Sequence, residues 1–317
     1  MLLVDFINVG YGDAILAREY EGARLLFTLL VDTGDCNTGC PPGPSARISA
    51  AAFLKREGVT RIDLLVLSHL HLDHAGGMFT ICDEIEVREF WTNCLPGKHL
   101  LDRRLSGRYD GGINNLICSL NIYTKALRSL DRKGVPLRPL GGKTGELSRS
   151  LTGKLGVSCF HAEAGLYREQ DAIISGVLGG TMDPDALGPL DAWINDTSLR
   201  IVLNYEGQVI MLPGDVSAAC WKRSPPGPCD ILKVPHHGHR DALDDELLER
   251  LKPAYGVISV SNDRPDPCPS PAIVGMLKKY AECFTTDALN MAGLSLPGLH
   301  ASVRFTLEDG NCAASVC

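Results

Sequence analysis

The chain has 317 residues, of which 44% are hydrophobic and 22% charged, and its formal net charge is -7. This composition is typical of a folded protein with a substantial core, and it excludes a disordered chain. The acidic balance argues against a protein that coats nucleic acid through a broad basic surface. Neither a signal peptide nor a run of about 18 apolar residues occurs, so we expect a cytoplasmic protein without a membrane span.

Twelve cysteines are scattered along the sequence, and none forms a CxxC pair. Without a secretory signal, this pattern favours reduced thiols over a disulfide framework. Cys36 and Cys40 are close enough to share a metal, but two thiols without a second Cys or His pair fall short of a structural zinc site. We therefore expect a loop with two free cysteines.

Short apolar runs that end at turn residues predict an alternation of strands and helices in the first third of the chain. Ser45 is the predicted N-cap of the first helix and Gly58 its stop. The predicted elements are strands at 2–9, 14–18, 25–31, 62–67 and 87–91, with a helix at about 46–57.

The middle of the chain differs from both ends in its composition and in its pattern of apolar residues. Residues 95–153 combine glycines and basic residues with one helical pattern, and residues 162–192 are rich in turn residues, which predicts loops there. We interpret about 95–190 as a partly helical insertion into a single domain that covers residues 1–317. Regular patterns then predict strands at 155–161, 199–205, 208–212, 231–234, 255–260 and 301–307, and helices near 244–252 and from Ser270-Pro271 onward.

The sequence S-H-L-H-L-D-H at residues 68–74 follows a buried strand directly. His69, His71, Asp73 and His74 are all suitable ligands for first-row metal ions. So much polarity at the end of an apolar strand would be costly without an ion. Positions 69 and 71 point the same way in an extended segment, while Asp73 and His74 could reach a second ion, so two metals fit better than one.

Two other strand ends supply candidate ligands. Asp215 ends the strand at M-L-P-G-D, and His236-His237 follow the strand at K-V-P-H-H-G. Each ion needs about four ligands, so partners from elsewhere in the chain are expected. Asp215 could bridge two cations, and either imidazole of the pair could complete a site. The isolated residues His99, His161 and His300 are better explained as structural histidines.

These motifs resemble the metallo-β-lactamase superfamily and, within it, the metallo-β-lactamase domain of the DNA-uptake protein ComEC and its freestanding relatives. The phrases that carry the resemblance are INVGYGDA, LLVDTGD, LSHLHLDHAGG, NDTSLRIVLNYEGQVIMLPGD, LKVPHHG and ISVSNDRPDPCPSP. They cover the strand framework at both ends and leave about 95–190 unmatched. Three positions depart from the pattern of this branch: Asn8, Tyr11 and His239.

The resemblance implies an α/β fold, the αββα sandwich of two mixed β-sheets flanked by helices. It also implies two divalent metal ions, zinc first and manganese as the alternative, with a bridging hydroxide as nucleophile. Asp73 and Asp215 are the expected catalytic carboxylates. Asp32, at the end of its strand, and Asp13, which the branch retains, are expected to orient the ligands.

Four further residues lie near the active-site phrases of this branch and could bind a phosphate: Asn195, Ser198, Lys233 and Asn262. The alternative is a plain turn for Asn195 and a snorkelling surface position for Lys233.

The leading hypothesis is a phosphodiesterase or nuclease that acts on DNA or another nucleic acid, because the resemblance to ComEC implies it. A hydrolase of a small ester, lactam, thioester or phosphorylcholine-type diester is the alternative, since a fold does not dictate its chemistry. A non-catalytic, metal-bound regulatory module is the third hypothesis. Neither the substrate nor any protein partner can be named from the sequence.

Overall fold

The computed structural model describes residues 1–41, 43–141, 147–161, 163–224, 226–263, 268–289 and 299–317. The predicted insertion and the closing motif at 258–271 each include a few residues outside these ranges. Within the described ranges, no helix combines the length and the apolar character that a bilayer crossing requires.

The strands have the following bounds: β1 Leu2–Ile7, β2 Ile15–Glu21, β3 Arg24–Val31, β4 Arg61–Ile62, β5 Leu64–Leu67, β6 Glu86–Val87, β7 Phe90–Thr92, β8 Leu137–Pro139, β9 Leu147–Ser150, β10 Leu155–Phe160, β11 Arg200–Tyr205, β12 Gln208–Leu212, β13 Ile231–Lys233, β14 Tyr255–Ile258, β15 Glu282–Thr285, β16 Ser302–Glu308 and β17 Asn311–Val316. The α-helices are α1 Ala50–Arg56, α2 Leu72–Ala75, α3 Met78–Glu84, α4 Gly111–Arg132, α5 Ala164–Gly179, α6 Leu187–Asp191, α7 Ala218–Trp221, α8 Asp245–Leu251 and α9 Pro271–Leu277.

Most strands belong to two large mixed sheets. The first has the order β17-β16-β1-β2-β3-β5-β7-β8 and the second the order β15-β14-β13-β12-β11-β10-β9, while β4 and β6 form a small separate pair. In each large sheet, one half is antiparallel and the other half is parallel. Parallel strands end at the same edge of a sheet. The residues that follow the parallel strands therefore lie together at that edge of each sheet, namely those after β3, β5, β12, β13 and β14.

Three buried apolar clusters show the layers of the fold. One lies between the sheets and joins side chains of the first sheet, such as Phe6 and Trp91, to side chains of the second, such as Tyr205 and Phe284. A second cluster packs α1, α3, α4 and α5 on the outer face of the first sheet. A third packs α7, α8 and α9 on the second sheet. Helix, sheet, sheet and helix follow one another, so the predicted αββα sandwich is confirmed.

The predicted strands are largely confirmed, and the hairpin of β11 and β12 turns at Glu206 and Gly207, which both have positive φ. The predicted start of the first helix is wrong. Its N-cap is Ser49, whose hydroxyl accepts a hydrogen bond from the amide of Ala52, whereas the Ser45 hydroxyl accepts the amide of Arg47 in a local turn. The twelve cysteines are free thiols, as predicted.

The loop-rich prediction for residues 162–192 is also wrong, since α5 and α6 occupy much of it. In α5, Tyr167, Ile174 and Val177 are buried at helical spacing, and the helix ends at Gly180 with a left-handed cap. The strand at 301–307 is not the last one, because β17 pairs with β16 and forms the sheet edge.

Candidate metal centre

The main ligand cluster lies where β5 ends. All four residues of β5 are buried between β3 and β7, so its carboxyl end delivers the chain to the parallel edge of the first sheet. His69 is extended and buried there, and the short helix α2 then carries Asp73 and His74. The carbonyl of Asp73 accepts the amide of Asp13, and a Cβ at Gly12 would lie 2.0 Å from that oxygen. Only glycine therefore permits this approach of the two loops.

Four side-chain atoms form a cage, which we define as Asp73 Oδ2, His74 Nε2, Asp215 Oδ2 and His237 Nε2. His237 Nε2 lies 3.1 Å from the Asp73 oxygen and 3.2 Å from the Asp215 oxygen. His74 Nε2 lies 3.2 Å from the Asp215 oxygen and 3.9 Å from the Asp73 oxygen. Ligands at about 2.1 Å from a tetrahedral ion are roughly 3.4 Å apart, so these separations fit one ion.

A second group of ligand atoms stands beside the cage. His69 Nε2 and His71 Nδ1 are 3.2 Å apart, and the ring of His69 lies 4.1 Å from the ring of His74. Two imidazole nitrogens at this distance suit neighbouring positions on one tetrahedral ion. The arrangement therefore holds one four-ligand position and one adjacent position with two histidines.

Each of these four histidines has a partner on its other ring nitrogen, which fixes the orientation of the ring. The pairs are His69 Nδ1 with Ser68 Oγ at 3.1 Å, His71 Nε2 with Asp191 Oδ1 at 3.2 Å, His74 Nδ1 with Asp32 Oδ2 at 2.8 Å, and His237 Nδ1 with the carbonyl of Ser259 at 3.2 Å.

Asp32 connects the ends of β3 and β5. Its φ is 59°, an uncommon conformation for a residue other than glycine. In this position one carboxylate oxygen accepts the amide of Ser68 at 2.7 Å, and the other accepts the Ser68 hydroxyl and faces His74. The orienting contact expected of Asp32 is thus present in the structure.

Lys233 holds Asp13 and Asp215 together in the interior. Its side chain is 1% exposed, its ammonium forms an ion pair with Asp13, and it lies 3.0 Å from Asp215 Oδ1. Burial opposes the charge, but the two carboxylates outweigh it and raise the pKa of Lys233. The substrate-binding prediction for Lys233 is therefore wrong, because its ammonium is occupied and out of reach. It is not a surface residue either.

The turn at His236 and His237 separates the roles of the two imidazoles. Both residues have positive φ, 46° and 50°. The ring of His237 points into the cage, while the ring of His236 lies between Asn195 and Asp241, at 3.2 and 2.9 Å. Only the amide of His236 reaches toward the cage, where it donates to Asp215 Oδ1 at 3.2 Å. The structure thus brings His237, rather than His236, to the other ligands.

The remaining predicted substrate residues lie in different surroundings. Asn195 lines a cleft of about 480 Å³ above the ligands, together with Tyr11, Asn115 and His236. Ser198 is buried. Its hydroxyl donates to the carbonyl of Asn195 and accepts the amide of Asp215, so it links the backbone segments that carry these two residues. The side chain of Asn262 accepts a hydrogen bond from Arg47 and is not among the residues that line this cleft.

Asp191 is a site residue that the sequence analysis missed. It ends α6, lines the cleft and faces His71. A Cβ at Gly112 would lie 1.9 Å from Asp191 Oδ2, so the glycine at the start of α4 makes room for this carboxylate. A Gly-Gly pair at 111–112 after Asp110 was the only signal, and it does not point to residue 191.

The electrostatics of the cage suit a cation. Burial disfavours charge on every member, yet Asp215 and the other carboxylates raise the pKa of His237 to about 9 and the pKa of His74 well above its usual value. The two imidazoles in turn hold the pKa of Asp215 and of Asp73 low. Burial lowers the pKa of His69, which is neutral and ready to bind a metal. The donor set thus fits a divalent ion that replaces protons.

Metal binding to the cage should therefore release protons. The raised pKa values of His74 and His237 favour their protonated forms near neutral pH, so an ion must displace protons from these rings, and we expect up to two protons released per ion bound. Calorimetric titration with Zn²⁺ in buffers of different ionisation enthalpy measures this number. Heats that do not change with the buffer would contradict the assignment of these two histidines as ligands.

Comparisons with known proteins agree with this geometry. Residues 27–93, which hold β3, β5 and the H-x-H-x-D-H motif, match the family model described as the metallo-beta-lactamase superfamily. This match covers about a fifth of the chain, and the two mixed sheets with their flanking helices are consistent with the metallo-β-lactamase fold. The chain is also similar to "ComE operon protein 3" of Bacillus subtilis (strain 168), with 21% identity over 287 residues. That match covers 88% of this chain but 31% of the relative, so the chain spans about a third of its length.

Solved structures with a similar fold include three from different organisms. The metallo-β-lactamase fold protein YhfI from Bacillus subtilis has 9% identity and a TM-score of 0.43, with 90% of this chain and 95% of that chain covered. The short form of human tRNase Z has 10% identity and a TM-score of 0.40, with 90% and 92% covered. Zn²⁺-bound PqqB from Methylobacterium extorquens has 11% identity and a TM-score of 0.42, with 92% and 100% covered.

Proposed function

We propose that this chain is a binuclear metal-dependent phosphodiesterase that acts on nucleic acid. The observation that carries the proposal is the cage of Asp73, His74, Asp215 and His237 beside the His69–His71 pair, at the floor of an open cleft. Two divalent ions, when bound there, would make hydroxide available near neutral pH and polarise a phosphoryl oxygen. Zinc is the first candidate for these nitrogen and oxygen donors, and manganese is the second.

The chain's own residues prepare the site in separate ways. Lys233 and the amide of His236 both bind Asp215 Oδ1, which leaves Oδ2 directed at the cage. Asp32 and Asp191 accept from the outer nitrogens of His74 and His71, so those rings present their other nitrogens to the ions. Asn195, at the cleft wall, offers its amide to a phosphate oxygen.

The choice of nucleic acid rests on the motif resemblance to the ComEC branch and on the similarity to ComE operon protein 3. Neither names a substrate for this chain.

A second candidate is a hydrolase of small esters or diesters. One observation favours it: the described residues that line the cleft include four carboxylates, Asp35, Asp73, Asp191 and Asp215, and no lysine or arginine. Bound ions would then be the main positive charge in the cleft, which suits a single phosphate or ester better than a polyanion.

The deciding experiment uses protein with measured metal content and four substrates: single-stranded DNA, duplex DNA, bis(p-nitrophenyl) phosphate and a β-lactam. We expect DNA cleavage, and we expect His71→Ala to remove it. Cleavage of the small diester alone would contradict the nuclease proposal and favour the second candidate. Full metal occupancy without turnover of any substrate would favour a regulatory module.

A further inference from the structure

The segment that follows the ligand cluster has a charge opposite to that of the whole chain. Residues 98–138 contain nine lysines and arginines but three aspartates, in a protein with a net charge of -7. This basic segment includes α4 and the loop before it. A local excess of positive charge in an acidic protein indicates a surface for an anionic partner.

The charged groups of four of these residues have neither an ion pair nor a hydrogen bond within the described part of the chain: Arg103, Arg104, Arg108 and Lys125. Others are neutralised, since Arg128 contacts Asp102 and Lys98 contacts Asp131, each at 2.7 Å. The ammonium of Lys125 lies 3.5 Å above the ring of Phe79, which holds it in place. Arg103, Arg104 and Lys125 are exposed and therefore available to a ligand.

Arg103, Arg104 and Lys125 lie around one depression. A groove of about 450 Å³ is lined by Arg103, Arg104, Lys125 and Arg128, together with Phe79 and one carboxylate, that of Asp102. We call it the basic groove. It lies outside the catalytic cleft, whose described lining has no lysine or arginine.

Helix α4 extends from the catalytic cleft to the basic groove. Gly111, Gly112 and Asn115 line the cleft, while Asn121, Lys125 and Arg128 line the basic groove. Asn115, Cys118, Ile122 and Lys125 are spaced by three, four and three residues, so they share one face of the helix. Three of them are exposed and Ile122 is half-buried. From Gly112 to Lys125 the helix rises about 20 Å.

We propose that the basic groove is a docking site for the backbone of single-stranded nucleic acid, which runs from the cleft along this face of α4. The inference rests on the proposed function and extends it by supplying the cations that the cleft lacks. Each nucleotide of a B-form strand advances about 3.4 Å along the helix axis, so a strand with that rise covers the roughly 20 Å from cleft to groove with about six nucleotides, and a more extended single strand needs fewer. The guanidinium groups of Arg103 and Arg104 bind the phosphates, and Ile122 offers an apolar contact to the bases between them.

The test compares two double charge reversals. Arg103→Glu with Arg104→Glu reverses two of the three free cations of the groove and leaves Lys125. Arg24→Glu with Lys278→Glu is the matched control, because these two exposed residues lie on β3 and just after α9 and have no ion pair within the described ranges. For each protein, kcat/KM is measured on a 20-nucleotide single strand, a dinucleotide and bis(p-nitrophenyl) phosphate, and binding of a labelled 20-mer is measured by fluorescence anisotropy in EDTA.

The groove variant should lower the ratio of kcat/KM on the 20-mer to that on the small diester by about tenfold or more, mainly through KM. The same ratio for the dinucleotide should not fall, because a dinucleotide cannot reach the groove. The slope of log K against log salt should become less steep by about 1.4, because two phosphates of a single strand are no longer neutralised by the protein. An equal loss in the control variant, or no loss in the groove variant, would overturn the proposal.

Measuring binding and cleavage separately distinguishes the docking proposal from the nuclease proposal. If the parent protein cleaves the small diester but no oligonucleotide, the nuclease function fails, and the anisotropy measurement still decides on the groove. Loss of 20-mer binding in the groove variant alone supports the docking site. Binding that is absent from the parent protein, or equal in both variants, overturns it.

Discussion

We expect Asp215→Asn to lower hydrolytic turnover by about three orders of magnitude. The carboxylate supplies one corner of the cage through Oδ2 and is held there by Lys233 and the amide of His236. An asparagine keeps the shape but removes the negative charge that stabilises a divalent ion. Loss of several kcal/mol of transition-state stabilisation is typical for such a site, and ~4 kcal/mol corresponds to about a thousandfold in rate.

The measurements are kcat/KM on the best substrate found and metal content after desalting. Asp245→Asn is the matched control, since it makes the same chemical change on the exposed surface of α8. A protein that lost activity but kept its full metal content would show that Asp215 does not act as a ligand. Full activity in Asp215→Asn would contradict the site.

Lys233→Met should destabilise the fold by about 3–5 kcal/mol. The substitution keeps the length of the side chain but removes the ammonium that pairs with Asp13 and leaves Asp215 with only the two imidazoles of the cage. Removal of one partner of a buried ion pair has this effect because the remaining charge stays uncompensated. Urea unfolding of the metal-free protein, followed by circular dichroism, measures the change.

Lys222→Met is the control for this prediction. Lys222 also pairs with a carboxylate, that of Asp244, but its side chain is 32% exposed, so solvent screens the pair. Its unfolding midpoint should therefore stay close to that of the parent protein. Equal shifts in the two variants would mean that burial does not govern the contribution of Lys233.

The ligand residues could be found from the sequence because their signal is local. His69, His71, Asp73 and His74 lie within six residues behind one apolar strand, and Asp215 and His237 each follow another. The rule that parallel strands end at one edge then predicts that these groups meet. Which of His236 and His237 enters the cage could not be predicted, because two consecutive positive φ values decide it.

Other parts of the site depend on packing between distant segments. Asp191 approaches His71 only because α6 packs on α4 where Gly112 has no side chain. No periodicity or motif encodes that contact. The position of Lys233 could not be predicted because lysine is ordinarily a surface residue, and its burial is explained only by the two carboxylates that surround it.

The interpretation of residues 162–192 as loops failed for a different reason. Glycines at 165, 176, 179 and 180 weaken the helical signal there, as glycine is a poor helix former. Packing of Ile174, Val177 and Leu178 against the first sheet's helices offsets that cost. Tertiary burial thus determines this helix, and local propensity does not.

The cage also joins the two halves of the molecule. Asp73 and His74 follow a strand of the first sheet, whereas Asp215 and His237 follow strands of the second. An ion held by all four would link one sheet to the other, much as a disulfide would, at the edge where the parallel strands end. Because binding to the folded state alone adds about 2.7 kcal/mol at a hundred times the dissociation constant, the supply of metal would affect the stability of the fold as well as the rate of its chemistry.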